Sequence, residues 1–208
     1  MPLSGYAPLM LVSFKHRIVI LAMPKCASTS LEAALADKMD VVISRNPAAK
    51  HTPFRKYDRF LRRYFETYTD GALEVVSLFR DPEDWLRSWW RYRSRDGLTD
   101  PSRSAKGWTF DDFVQAYLSG RAGPASVGSQ ARFVSAKDGS VGCDRIFRYE
   151  TLDRFSAWLS ERLEVPLSLE HLNVSPPARA DAALEGATRS MLETGLDQEY
   201  RIYRETAE

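Results

Sequence analysis

A chain of 208 residues, 44% hydrophobic and 27% charged, has the apolar content for a substantial core and lacks the polar bias of a disordered class. Its net charge of +1 and pI near 7.8 give no general argument for nucleic acid or an anionic membrane as partner, so any anion binding must come from local placement of charge. The two cysteines, Cys26 and Cys143, sit in no C-x-x-C or Cys/His cluster, so neither a disulfide framework nor a zinc site is indicated and no metal is expected.

In chain order, Met1 to Met23 holds two apolar pieces split by Lys15-His16-Arg17. Neither is long enough to span a bilayer and no cleavage site follows a basic start, so the expectation is a cytoplasmic protein with no membrane span. Strands are expected over Arg17–Ala22, Val41–Ser44, Glu74–Phe79 and Arg145–Arg148. Helices are expected over Thr29–Lys38, Phe54–Tyr68, Pro82–Arg95, Phe110–Leu118 and Leu152–Leu163, with later ones over Ala182–Glu193 and Gln198–Glu205. Alternation of strand and helix argues for an α/β fold with a parallel sheet flanked by helices, in a single domain over residues 1–208. Asp96–Gly107 and Ser119–Ser129 read as loops and as candidate acceptor-binding segments.

The first chemical signal is Arg17-Ile-Val-Ile-Leu-Ala-Met-Pro-Lys-Cys-Ala-Ser-Thr-Ser-Leu-Glu32, a strand, a tight loop and a helix start. Such a loop offers unpaired N–H groups and the positive end of a helix dipole. Lys25 adds a charge, and Ser28, Thr29 and Ser30 add hydroxyl donors, which is the chemistry of a phosphate site. The loop is not a Walker A sequence, because the lysine precedes the turn. The second signal is Glu74–Ser88, again strand, loop and helix, with Asp81 as N-cap and Pro82 at the first helical position. Arg80 ends the strand and Ser88 follows eight positions later, about two helical turns on. A guanidinium fork and a hydroxyl so spaced can grip one phosphate.

Together these motifs resemble the sulfotransferases that use 3′-phosphoadenosine 5′-phosphosulfate (PAPS). Pro24, Lys25, Cys26, Ala27, Ser28, Thr29 and Ser30 fall on that family's 5′-phosphosulfate loop, Pro-Lys-x-Gly-(Ser/Thr)-(Ser/Thr), with Ala27 where glycine is usual. Arg80 and Ser88 fall on its 3′-phosphate motif, Arg-(x)7-Ser. Ile146–Glu150 with Leu152, Leu172–Ser175 and Tyr200–Tyr203 extend the resemblance at lower specificity, whereas the Arg-Lys-Gly segment of cytosolic members is missing; Arg132 and Arg179 are candidates to cover the adenosine.

The resemblance implies a three-layer sandwich of P-loop NTPase-like sulfotransferase fold, in which a central parallel sheet is flanked by helices. It implies transfer of a sulfuryl group from PAPS, as co-substrate and without a metal, to a hydroxyl or amine of a small molecule or carbohydrate. Lys25 would stabilise the leaving nucleotide. His51 is the one histidine between the two motifs and the candidate base, with Glu66 and Glu150 as carboxylate alternatives and His16 and His171 less well placed. A P-loop kinase of similar architecture and a non-catalytic nucleotide-binding relative, the latter favoured by Ala27, are the competing readings.

Overall fold

The computed structural model describes residues 10–44, 46, 49, 51–98, 100–169 and 183–206. In chain order it runs β1 (Met10–Ser13), β2 (Ile18–Leu21), α1 (Ser28–Leu35), β3 (Val41–Ile43), α2 (Phe54–Tyr57), a π-helical turn (Asp58–Arg62), α3 (Arg63–Glu66), β4 (Glu74–Phe79), α4 (Pro82–Ser94), α5 (Phe110–Leu118), α6 (Gln130–Val134), β5 (Arg145–Arg148), α7 (Leu152–Leu163), α8 (Gly186–Gly195) and α9 (Asp197–Glu205). The described residues form two compact units, one within 10–80, 130–169 and 205–206, the other within 81–129 and 183–204.

The first unit is α/β, built on a five-stranded sheet of order β3-β1-β2-β4-β5. β2, β4 and β5 run parallel, with Leu21 opposite Ser77 and Phe79 opposite Arg148. β1 runs antiparallel to both its neighbours, so the sheet is mixed and the expectation of a wholly parallel sheet is corrected. The reason is the four-residue turn Phe14–Arg17, which returns the chain beside itself and can join only antiparallel strands. In that turn the Arg17 N–H donates to the Phe14 carbonyl at 3.2 Å, and the Phe14 N–H donates to the Asp40 carboxylate at 2.7 Å. Met10–Ser13, read from sequence only as an apolar piece too short for a membrane, is therefore a strand, and β3 pairs with it rather than with β2.

Every residue of β1 and β2 is buried, as is β4 from Val75 onward, which is why β2 reads as an unbroken apolar run and β4 as an apolar run broken only by the buried Ser77. Phe147 on β5 packs against Phe155 and Trp158 of α7 at 5.1 and 5.0 Å between ring centroids. Gly142 is required because a Cβ there would collide with the ring of Phe54 at the start of α2. Among the described residues no helix is long and apolar enough to cross a membrane.

The second unit is helical. α4 starts where the sequence requires, with the Asp81 side chain accepting from the Asp84 N–H at 3.0 Å and Pro82 in the first turn. α5 opens on a capping box between Thr109 and Asp112. Trp90 packs on Phe110 at 5.7 Å and the Arg87 guanidinium lies 4.1 Å above the same ring, so α4 turns its buried Trp90 face to α5. The Asp111 carboxylate accepts from the Glu185 N–H and the Thr188 hydroxyl, each at 3.0 Å, and so fixes the start of α8 against α5.

Candidate functional site

The loop after β2 turns on backbone rather than side chains. The Cys26 N–H donates to the Met23 carbonyl at 3.2 Å, and the Leu31 N–H to the Ala27 carbonyl at 3.0 Å, which launches α1. Lys25 and Ala27 both adopt the left-handed region, at φ 67° and φ 54°. Ala27 is the N-cap of α1 and carries no side-chain cap, so the first-turn donors stay uncapped. The N–H groups of Ala27, Ser28 and Thr29 have no acceptor among the described residues. Successive donors on alternating left- and right-handed backbone at a helix start form an anion-binding concavity.

Within this loop Cys26 turns inward. It is fully buried, its thiol lies 3.9 Å from Oε1 of Gln130, and its N–H is already bonded, so it shapes the loop's inner wall and offers a ligand no donor. Burial raises the Cys26 thiol far above its ordinary pKa, and the thiol stays neutral. The charges acting on it in addition to burial are Arg80 and Lys25, which lower it, and Glu150, which raises it, so these three gather around the loop. Ser30 is buried on α1 beneath the loop.

Arg80 follows the last residue of β4, and the parallel register with β5 brings Tyr149 level with it. Its guanidinium lies 4.5 Å above the Tyr149 ring, and its NH1 donates to the Lys25 carbonyl at 3.3 Å. Its Nε is buried without a hydrogen-bond partner, and among the described residues Arg80 makes no ion pair. A half-buried cation that is held in place yet has no carboxylate is an incomplete arrangement in a folded protein.

Gln130, a residue with no sequence signal of its own, sets that arrangement. It is wholly buried at the start of α6. Its Oε1 accepts from the Arg80 N–H at 3.0 Å while its Nε2 donates to the Arg80 carbonyl at 2.9 Å, and the same Oε1 receives the Cys26 thiol. One amide thus ties the end of β4 to the loop after β2. Sequence reading placed the 119–129 stretch as a loop and passed over the short helix that follows it.

His51 stands at the same edge of the sheet. Its Nδ1 lies 3.0 Å from the carbonyl of Ala22, the residue that leaves β2. A carbonyl only accepts, so Nδ1 carries a proton, and in the neutral imidazole the lone pair is on Nε2. Thr52, nearly buried beside it, donates its hydroxyl to the Ala49 carbonyl and holds the turn. Of the carboxylate alternatives, Glu150 follows β5 at the carboxyl edge, and it is exposed. Glu66 is at the opposite edge, where it accepts from the Leu73 N–H just before β4, and it is set aside as a base. His16 is in the β1–β2 turn, also at the far edge.

Ser88 lies nearly buried on α4 in the helical unit, and its hydroxyl has no partner among the described residues. Arg132 is exposed on α6. His171, Arg179 and the Leu172–Ser175 match lie outside the described residues. No group of three or more His, Cys, Asp or Glu side chains among the described residues could hold a metal ion. Comparison with family models, with curated proteins and with solved structures finds no match to this chain.

Proposed function

We propose that the protein is a PAPS-dependent sulfotransferase that transfers the sulfuryl group to a hydroxyl or amine. The observation that carries the reading is Arg80, a positioned guanidinium without an acidic partner among the described residues, beside three backbone N–H groups that have no acceptor among them. Both features call for an anion, and the order of the two motifs along the chain matches a nucleotide phosphorylated at its 3′ and 5′ positions. Ala27, Ser28 and Thr29 take the 5′-phosphate through their N–H groups, and Arg80 takes the 3′-phosphate.

In the reaction a bond forms between the acceptor oxygen and sulfur while the bond from sulfur to the nucleotide's bridging oxygen breaks. Lys25 neutralises the charge that grows on that leaving oxygen, a charge larger in the transition state than in the bound complex. Nε2 of His51 takes the proton from the acceptor, and the Nδ1–H bond to Ala22 keeps the ring in the tautomer that can do so. No metal is required by this scheme.

The test is a calorimetric titration of 3′-phosphoadenosine 5′-phosphate and ADP against wild type and Arg80→Ala, joined to a mass-shift screen for sulfated products. The wild type should prefer the 3′-phosphorylated nucleotide, and Arg80→Ala should lose on the order of 1.5–3 kcal/mol for it and little for ADP. Equal losses for both would make Arg80 structural. Tight binding without transfer to any acceptor would favour the non-catalytic reading.

A further inference from the structure

We propose that the segment leading away from His51, the helical residues 54–66 and the turn through Tyr68, is a docking face for an anionic lipid bilayer. Six large hydrophobic side chains are exposed among the described residues, and three of them, Phe60, Tyr64 and Tyr68, lie four apart on this one segment at 63%, 59% and 56% exposure. Their exposure follows from the backbone. An uninterrupted α-helix that buries Tyr57 would bury the position seven residues on, Tyr64. The π-turn at Asp58–Arg62 accommodates one extra residue, so burial falls on Phe65 instead and Tyr64 faces solvent.

The same segment carries cations in excess. Arg55, Lys56, Arg59 and Arg63 are exposed and make no ion pair among the described residues. Its acids are engaged: Asp58 pairs with Arg62 at 3.1 Å, and Glu66 accepts from the Leu73 N–H at 3.3 Å. Arg62 itself turns inward over Phe54 and Tyr57. What remains is an aromatic stripe bordered by four unopposed cations, on a chain whose overall charge is only +1.

The chemistry fits an anionic interface. Arginine and lysine are drawn to acidic headgroups, while phenylalanine enters the acyl boundary and tyrosine keeps its hydroxyl at headgroup level. A polymer of stacked bases or sugar rings fits less well. Tyr64 and Tyr68 stand edge to face at 74°, with their hydroxyls 3.2 Å apart, and so present no row of parallel faces. This inference does not rest on the proposed activity. It does place that activity beside a surface, since α2 begins three residues after His51.

The experiment is co-sedimentation of the full chain with phosphatidylcholine vesicles, with and without about a third phosphatidylserine. Wild type should bind the anionic vesicles alone, and more weakly as salt rises. The double variant Arg59→Glu/Arg63→Glu changes the face by four charges, which at roughly fivefold per charge near the surface lowers partitioning by several hundredfold. Phe60→Ser, at a side chain whose one ring contact among the described residues is its neighbour Arg59, should cut binding about tenfold while the melting temperature holds. Absence of vesicle binding overturns the proposal, and so does full binding by Phe60→Ser. Failure to bind vesicles combined with capture of a polyuronate or a single-stranded oligonucleotide, lost in the same variants, assigns the face to a soluble polyanion instead. Self-association of wild type abolished by Phe60→Ser assigns it to a second copy of the chain.

Discussion

Replacing Ala27 with glycine tests whether the anion loop has the backbone described, since it changes one methyl group at a left-handed residue. Ala27 sits at φ 54°, ψ 20°. The left-handed region costs an L-residue with a Cβ about 1–2 kcal/mol, and glycine nothing. Against this, glycine loses about 0.5–1 kcal/mol more backbone freedom on folding. Ala27 is also an N-cap without a capping side chain, a position where glycine is preferred to alanine. The balance is a gain of about 0.5–1.5 kcal/mol. At 208 residues each kcal/mol moves the melting temperature by about 2–4 °C, so Ala27→Gly should melt about 1–6 °C above wild type by calorimetry. Ala27→Val should move the other way, because a β-branched side chain is worse there. Equal or lower stability for Ala27→Gly, with no loss for Ala27→Val, would show that the chain does not hold residue 27 in the left-handed region and would remove the support for the donor cluster. The competing reading, in which Ala27 marks a loop that has lost its ligand, predicts the same melt but no nucleotide binding in either protein.

Two further substitutions probe the proposed site. His51→Ala should reduce turnover by about 10²–10⁴-fold once an acceptor is known, with nucleotide affinity and melting temperature near wild type; near-normal turnover would move the base to Glu150. Gln130→Met leaves the Arg80 N–H and carbonyl without partners in a part-buried setting, at about 1–3 kcal/mol each, so it should lose about 2–6 kcal/mol in denaturant unfolding, whereas wild-type stability would show that water replaces the amide.

The parts of this fold legible in sequence are those where one local signal decides. β2 is an unbroken apolar run and β4 nearly one, and α5 and α7 fall at the expected Phe110–Leu118 and Leu152–Leu163. The left-handed backbone at Ala27 was legible too, because the motif that the loop resembles has glycine there. β1 was not, since three apolar residues and a serine before a basic turn carry no periodicity, and only their pairing with β2 and β3 identifies them as a strand. The π-turn was invisible for a similar reason: the pattern from Phe54 to Tyr68 is helical throughout, and the extra residue shows only as burial at Phe65 rather than Tyr64. Gln130 lies fifty residues from Arg80, and nothing in a single sequence connects a glutamine to a distant main chain.

That glutamine explains how two short motifs can form one site. The loop after β2 and the residue after β4 lie side by side because the strands are parallel neighbours, but adjacency alone leaves each free to move as a loop end. Gln130 bonds both main-chain groups of Arg80 and receives the Cys26 thiol, so a shift in either loop must break contacts in a fully buried position. Its burial is what makes the restraint effective, since an amide at the surface would exchange these bonds for water at little cost. The Arg80 side chain then completes the link from outside, with NH1 on the Lys25 carbonyl and Tyr149 beneath the guanidinium. On the proposed reading a phosphorylated ligand would meet donors already held at a fixed spacing, and binding would have little ordering left to do.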